Sequence, residues 1–521
     1  MRSSALAAAL LVSACGGGSS SAPATAPVVT APVVTPPVVT PPVATPPVIT
    51  PPAGPSTLDT SITFAEVAVH DPSVIKAGDT YYVFGSHLAA AKSTDLMNWS
   101  RVADGVNNSN PLFANVTTAL ADAFAWSQVT TLWAADVIEL DDGKFYFYYN
   151  TCKGDSPRSA MGLAVADKIE GPYVDKGVFL KSGMWDQASP DGRVYDARIH
   201  PNAVDPHTFR DKEGKLWMIY GSYSGGIFVL ALDKATGLPL PGQGYGKHLL
   251  GGNHARIEGA YVTYSPQSGY YYMFTSFGGL DANGAYNMRV ARSLKADGPY
   301  LDAKGTDMAT VKSNPALPLF DDASIAPHGQ KLFGNHQFTA GAGEAGVASG
   351  YVSAGHNSAR YEAATQQYFL FFHSRFPGRG EQHEVRVHEF FINEDGWPVV
   401  APLRYAPLSK SAAPLAAEVT GKDAEGSYQL VNHGKDISAA IKTATAIKLE
   451  PSGAVSGTVS GTVSGTWSHR GGNKVQLVLA TGGTFNGVLS RQYNANARRF
   501  VVTFTAQSSE GVSLWGVRTG G

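Results

Sequence analysis

Five stretches of this chain share one plan: an apolar run, a polar turn, then an aromatic run. They read HDPSVIKAGDTYYVFGS from His70, WAADVIELDDGKFYFYYN from Trp133, VDPHTFRDKEGKLWMIYGS from Val204, IEGAYVTYSPQSGYYYMFTS from Ile257 and GHNSARYEAATQQYFLFFHS from Gly355. Four of the turns combine Gly with Asp, Lys or Ser, as hairpins prefer. The flanking runs are rich in Tyr, Phe, Val and Ile, as strands prefer. Five sheet units spaced by roughly 50 to 100 residues predict an all-β chain whose larger part is a five-bladed β-propeller.

In such a fold the innermost strand of each blade starts near the central axis. The residues at those starts are Asp71, Asp136, Asp205, Glu258 and His356. The repeat is therefore expected to bring four carboxylates and a histidine, remote in sequence, to one end of the axis. Each also has a plainer reading. Asp before Pro, at Asp71-Pro72 and Asp205-Pro206, often initiates a turn. Asp136, in WAADV, could equally serve strand entry and is the most structural of the set. Glu258 stands between Ile257 and Gly259 with no capping duty, and a buried glutamate is costly unless partnered. That position points to function.

The charge balance limits the partners. Lys and Arg number 40 against 42 Asp and Glu, a net charge of −2. That is no electrostatic footprint for nucleic acid. The opening MRSSALAAALLVSAC reads as an export signal, with one Arg, a short apolar run and small residues. VSAC resembles the lipobox of bacterial lipoproteins, so Cys15 is the expected lipidation site, residues 1–15 the signal and a lipid anchor the membrane attachment. An outer-membrane, cell-surface or periplasmic address follows. Cys152 is then a free, buried thiol. Residues 16–57 are Pro/Val/Thr-rich, favour extended polyproline conformations and cannot pack a core; they read as a tether. Residues 58–410 are assigned to the propeller. Residues 417–521 carry short alternating strands, including SYQLVNHG and GVSLWGVR. They predict a small β-barrel or sandwich that braces the propeller, with polysaccharide binding as the alternative.

HDPSVI, WAADVIEL, NAVDPHTF and IEGAYV, in that order, resemble glycoside hydrolase family 43. The later GHNSA, GEQHEVRVHEFFINEDGWPVVAPLRY and GSYQLVNHGKDIS are similar to its two-domain bacterial endo-α-1,5-L-arabinanases. The resemblance implies hydrolysis with inversion, with arabinan and arabino-oligosaccharides as substrates; a monomer is expected. It implies Asp71 as general base, Glu258 as general acid, and Asp205 as the residue that tunes the acid and orients substrate. It also implies a Ca2+ ion near the axis, held by His356 largely through water, although calcium ordinarily takes oxygen ligands. No organic cofactor is implied. Inverting chemistry suits blades on opposite sides of an axis, because acid and base must leave room for a water between them.

Trp133 could stack on a sugar or fill the core. Asn202 could bind substrate or close a turn, and Ser276 and Phe277 could rim a cleft. Arg375 is structural or close to the metal. Readings that remain open are an exo-arabinanase, arabinofuranosidase or β-xylosidase on the same fold, and a non-catalytic surface glycan-binding lipoprotein. A transglycosylase of the fructan type would need a different motif set.

Overall fold

The computed structural model describes residues 59, 61–341, 344, 346, 348–411, 415–457 and 463–520. Cys15 and the 16–57 tether lie outside the described residues.

Five antiparallel sheets are arranged around an axis. The first four have four strands each in simple chain order, with inner strands Ser73–Ala77, Asp136–Glu139, His207–Arg210 and Ile257–Tyr264. The fifth starts from the long inner strand Ser349–Glu362 and continues through Gln367–Arg375, His383–Ile392 and Pro398–Val400. Neighbouring inner strands touch in chain order, and the last touches the first, which closes the ring. The chain before the first blade helps to close it. Val385 donates its N–H to Val67 O at 2.9 Å, and Glu66 pairs with Arg386 and Arg404.

The aromatic runs have a direct physical cause. A strand alternates its side chains between two faces, and in a propeller both faces meet another blade. Tyr82 and Phe84 pack toward Phe147 and Tyr149 of the second blade. Their neighbours Tyr81 and Val83 pack toward Phe369 and Phe371 of the fifth. Likewise Tyr146 and Tyr148 meet Met218 and Tyr220 of the third blade. Tyr271 and Met273 face the third blade, whereas Tyr272 and Phe274 face the fifth. Both faces of these second strands are therefore core faces.

The C-terminal part is a closed barrel of eight strands from Gly426–Asn432 to Ser513–Arg518, the first pairing with the last. Of the two architectures expected, the barrel is the one found. Its interior holds Tyr428, Leu430, Trp467, Phe485 and Phe504. It is fastened to the propeller rather than hung from it. The strand Lys442–Thr443 pairs in parallel with His336–Phe338, which extends the fifth blade. Two buried cations of the fourth blade complete the joint: Lys331 donates to the His433 and Asp436 carbonyls, and Arg289 to that of Lys435. Trp515 of the barrel is fully buried against Phe333.

Candidate active site

Asp71, Asp205 and His356 share a backbone peculiarity. All three have positive φ, at 57°, 56° and 44°. Non-glycine residues are held there only when their surroundings impose it, and such residues concentrate at functional sites. Asp71 and Asp205 each lie two residues before their inner strands begin, and Glu258 is the second residue of its own. All three carboxyls are buried.

Asp71 is held by histidines. His70 Nδ1 lies 2.8 Å from Oδ2 and His356 Nδ1 lies 3.1 Å from Oδ1. Ser86 Oγ donates to Oδ2, and the Asp71 backbone N–H donates to His373 Nδ1 at 3.2 Å. Burial disfavours the Asp71 charge, but the positive charges of His356 and His70 outweigh it and hold the carboxyl well below its usual range. The opposite holds at Glu258. Its Oε2 accepts from Ser222 Oγ at 2.7 Å and its Oε1 from Tyr286 OH at 2.9 Å. Burial nonetheless pushes its pKa up; His356 and the two hydroxyls oppose the shift, and the Asp71 charge adds to it. Asp205 is pushed up to about 8, first by burial, with Glu258 and Asp71 adding to it against His356's opposing pull. Burial is therefore the main cause of the raised Glu258 pKa, ahead of repulsion between carboxylates. His356 reaches about 9, because Asp71, Asp205 and Glu258 together overcome its burial.

Two glycines make this packing possible. A Cβ on Gly259 would come within 3.0 Å of the His356 ring, and one on Gly355 within 2.2 Å of the Tyr286 ring. Ser276 Oγ accepts the His356 backbone N–H at 2.8 Å. Ser276 is fully buried, so it orders the axial histidine and rims no cleft, contrary to the sequence-based expectation.

Three further sequence-derived placements need correction. Asp136 does not join the ring. It begins its strand, one layer deeper, where it accepts from Ser73 Oγ at 2.5 Å and from the Thr208 N–H at 2.7 Å. There it clips the first blade to the third, beside an axial cavity of about 370 Å3 walled by the five inner strands. Phe277 is fully buried under the Arg289 guanidinium, 4.7 Å from the ring centre, and rims no cleft. Asn202 is committed to the wall, since its Oδ1 accepts from Ser159 Oγ at 2.6 Å and from Ser182 Oγ at 3.4 Å. Trp133 is half-buried, its backbone N–H donating to Asn150 O. Arg375 is buried and paired with Glu381. Sequence reasoning missed His70, Ser86, Ser222, Tyr286 and His373. The recurrent ending of the repeat, in VFGS, IYGS, FTS and FHS, is the signal that would have found the serines.

The axial group also bears on calcium. His356 Nδ1 faces Asp71, so Nε2 is the atom left for an ion. Asp71, Asp205 and Glu258 raise His356 to about 9, so an ion at Nε2 would have to displace the proton the ring carries there. One imidazole with water as the remaining ligands fits that donor set.

Residues 62–323 match the glycosyl hydrolases family 43, and residues 402–516 match a C-terminal lipocalin-like domain found with it. The chain is 56% identical over 453 residues to an extracellular endo-α-(1→5)-L-arabinanase 2 of Bacillus subtilis, covering 87% of this chain and 93% of that one. The crystal structure of an endo-1,5-α-L-arabinanase from Thermotoga petrophila superposes with a TM-score of 0.81 at 46% identity, covering 88% and 99% of the two chains. A family 43 glycoside hydrolase of Bacillus licheniformis gives 0.82 at 57% identity, with 88% and 99% covered.

Proposed function

This chain belongs to glycosyl hydrolase family 43, and from that premise we propose that it cleaves internal α-1,5-L-arabinofuranosyl linkages of arabinan with inversion. One observation carries the mechanism: two carboxyls on different blades are driven to opposite protonation states. Asp71, held low by His356 and His70 despite its burial, is ionised and takes a proton from the attacking water. Glu258, raised by burial, keeps its proton and delivers it to the leaving oxygen. Acid–base pairs of this kind are made by environments that push two carboxyls apart. Asp205 lies within the field of both and orients the sugar between them. A calcium ion, when bound, would be held by His356 Nε2 and water and would supply positive charge beside the three carboxyls.

The names of the relatives support the substrate and an extracellular address. Acylation of Cys15 belongs to the same proposal, and detergent-phase partition lost in Cys15→Ser tests it. The decisive experiment measures viscosity loss and product release on debranched arabinan, with xylo-oligosaccharides alongside and Glu258→Gln as control. Rapid viscosity loss with mixed arabino-oligosaccharides, abolished by the substitution, is the expected outcome. Release of arabinose or xylose alone overturns endo action, and binding without turnover overturns catalysis.

A further inference from the structure

We propose that His373 is a positioning residue for the base: its Nδ1 accepts the Asp71 backbone N–H and fixes the left-handed turn that sets the Asp71 carboxylate among His70, Ser86 and His356. The inference rests on reading Asp71 as the base and adds what holds it.

The turn needs a holder. Asp tolerates positive φ better than most residues, yet Pro72 follows, and a proline pushes the residue before it toward extended conformations. A φ of 57° therefore persists only where outside contacts select it. His373 is suited to that task by its location. It lies within the second strand of the fifth blade, paired with Gly355 on one side and Val385 on the other, and it has no exposed surface. Asp71 precedes the first blade. The bond thus crosses the seam where the ring closes, and ties the base to a strand that cannot move independently.

The same ring supports the side chain of Asp71 indirectly. His70 stacks on His373 with ring centres 3.9 Å apart, and His70 Nδ1 contacts Asp71 Oδ2 at 2.8 Å. Accepting on Nδ1 requires a neutral ring with its proton on Nε2. Burial favours the neutral form, as do the neighbouring charges of His70, Arg375 and His383, against the pull of Asp71. His70, Asp71 and His373 also present three potential ligand atoms within 4.8 Å of one another. In this arrangement the His373 Nδ1 lone pair is already used by the Asp71 N–H, so the group reads as a scaffold for the base.

Two substitutions separate positioning from packing. Asparagine can place its amide oxygen where Nδ1 stands but leaves the ring's volume empty; phenylalanine fills the volume but cannot accept. His373→Phe should lower kcat on linear arabino-oligosaccharides about 100-fold, the order expected for a misplaced reacting group, with KM within about twofold. His373→Asn should recover about tenfold of that loss. If His373→Phe is as active as His373→Asn or more so, the ring acts by packing and the inference is overturned. Nitrogen NMR of histidine-labelled wild type needs no variant. A neutral His373 with its proton on Nε2 is expected, and a proton on Nδ1 overturns the inference. Asp71→Asn tests the underlying reading separately. Retained turnover there removes Asp71 as base, and this inference with it. Lost turnover together with a reversed ranking of the His373 variants removes this inference alone.

Discussion

Replacing Asp205 by asparagine should stabilise the protein, and only above the carboxyl's ordinary pKa. Burial, helped by Glu258 and Asp71, moves Asp205 from 3.8 to about 8 in the folded state. Between those values the folded protein holds more protons than the unfolded chain. Stability therefore falls as pH rises through that window and is constant outside it. A tenfold change in proton affinity corresponds to about 1.4 kcal/mol, so a rise from 3.8 to about 8 sets a ceiling of about 6 kcal/mol above pH 8. Asparagine carries no charge to bury and resembles the protonated acid in shape, so it removes the penalty and leaves low-pH stability alone. Calorimetric melting of both proteins from pH 4 to 9 should give curves that coincide at pH 4. At pH 8 they should separate by at least about 2 kcal/mol, or about 2 °C at roughly 1 °C per kcal/mol for a chain of this size. Turnover falls in the same variant. Asp71→Asn should behave oppositely. Its carboxyl is held well below the usual range by His356 and His70, so the variant loses stability at pH 7 and the difference closes as pH falls through the folded pKa. A melting point for Asp205→Asn at or below wild type at pH 8, or a gain of equal size at pH 4, would refute the reasoning.

Three further outcomes follow from single contacts. Tyr286→Phe removes the hydroxyl that donates to Glu258 Oε1 at 2.9 Å and stabilises its charged form. A bond to a charged group contributes about 1.5–3 kcal/mol, so the alkaline limb of the kcat/KM profile should move up by about one pH unit; an unmoved or lowered limb contradicts the contact. Gly355→Ala puts a methyl within 2.2 Å of the Tyr286 ring. It should lower stability by about 1–3 kcal/mol and reduce kcat, as read by denaturant melts and turnover; wild-type behaviour in both would show that Tyr286 has room to shift. Calcium added to chelator-treated protein should raise Tm in wild type but not in His356→Ala, and a Tm rise that survives the substitution places the ion elsewhere.

The propeller was legible in the sequence because its constraint is repetitive. Each second strand is buried on both faces, so Phe147 and Tyr148 must both be apolar although they point to different blades. Five such runs at regular intervals allow little else. Barrel closure was less legible, since the strands that seal it, Gly426–Asn432 and Ser513–Arg518, lie at opposite ends of the domain. Alternation alone fits an open sandwich equally well.

At the site the repeat supplied the right end of the axis but not the phase. Aligning the apolar runs equates Asp136 with Asp71. Yet the second blade's strand begins at Asp136 itself, whereas those of the first and third blades begin two residues after Asp71 and Asp205. The missing Pro after Asp136 marks this difference in the sequence, because Asp-Pro starts a turn at the mouth where Asp-Val simply starts a strand. The contacts of Tyr286 and His373 are harder to read for another reason. Tyr286 reaches Glu258 from a residue just ahead of the third strand of its blade, and His373 reaches Asp71 across the closing seam between the fifth and first blades. Neither contact belongs to the repeat unit, so no comparison of one unit with another can expose it. The proposed catalytic carboxyls are a property of the repeat, and their protonation states are set by burial and by contacts from outside the repeated unit.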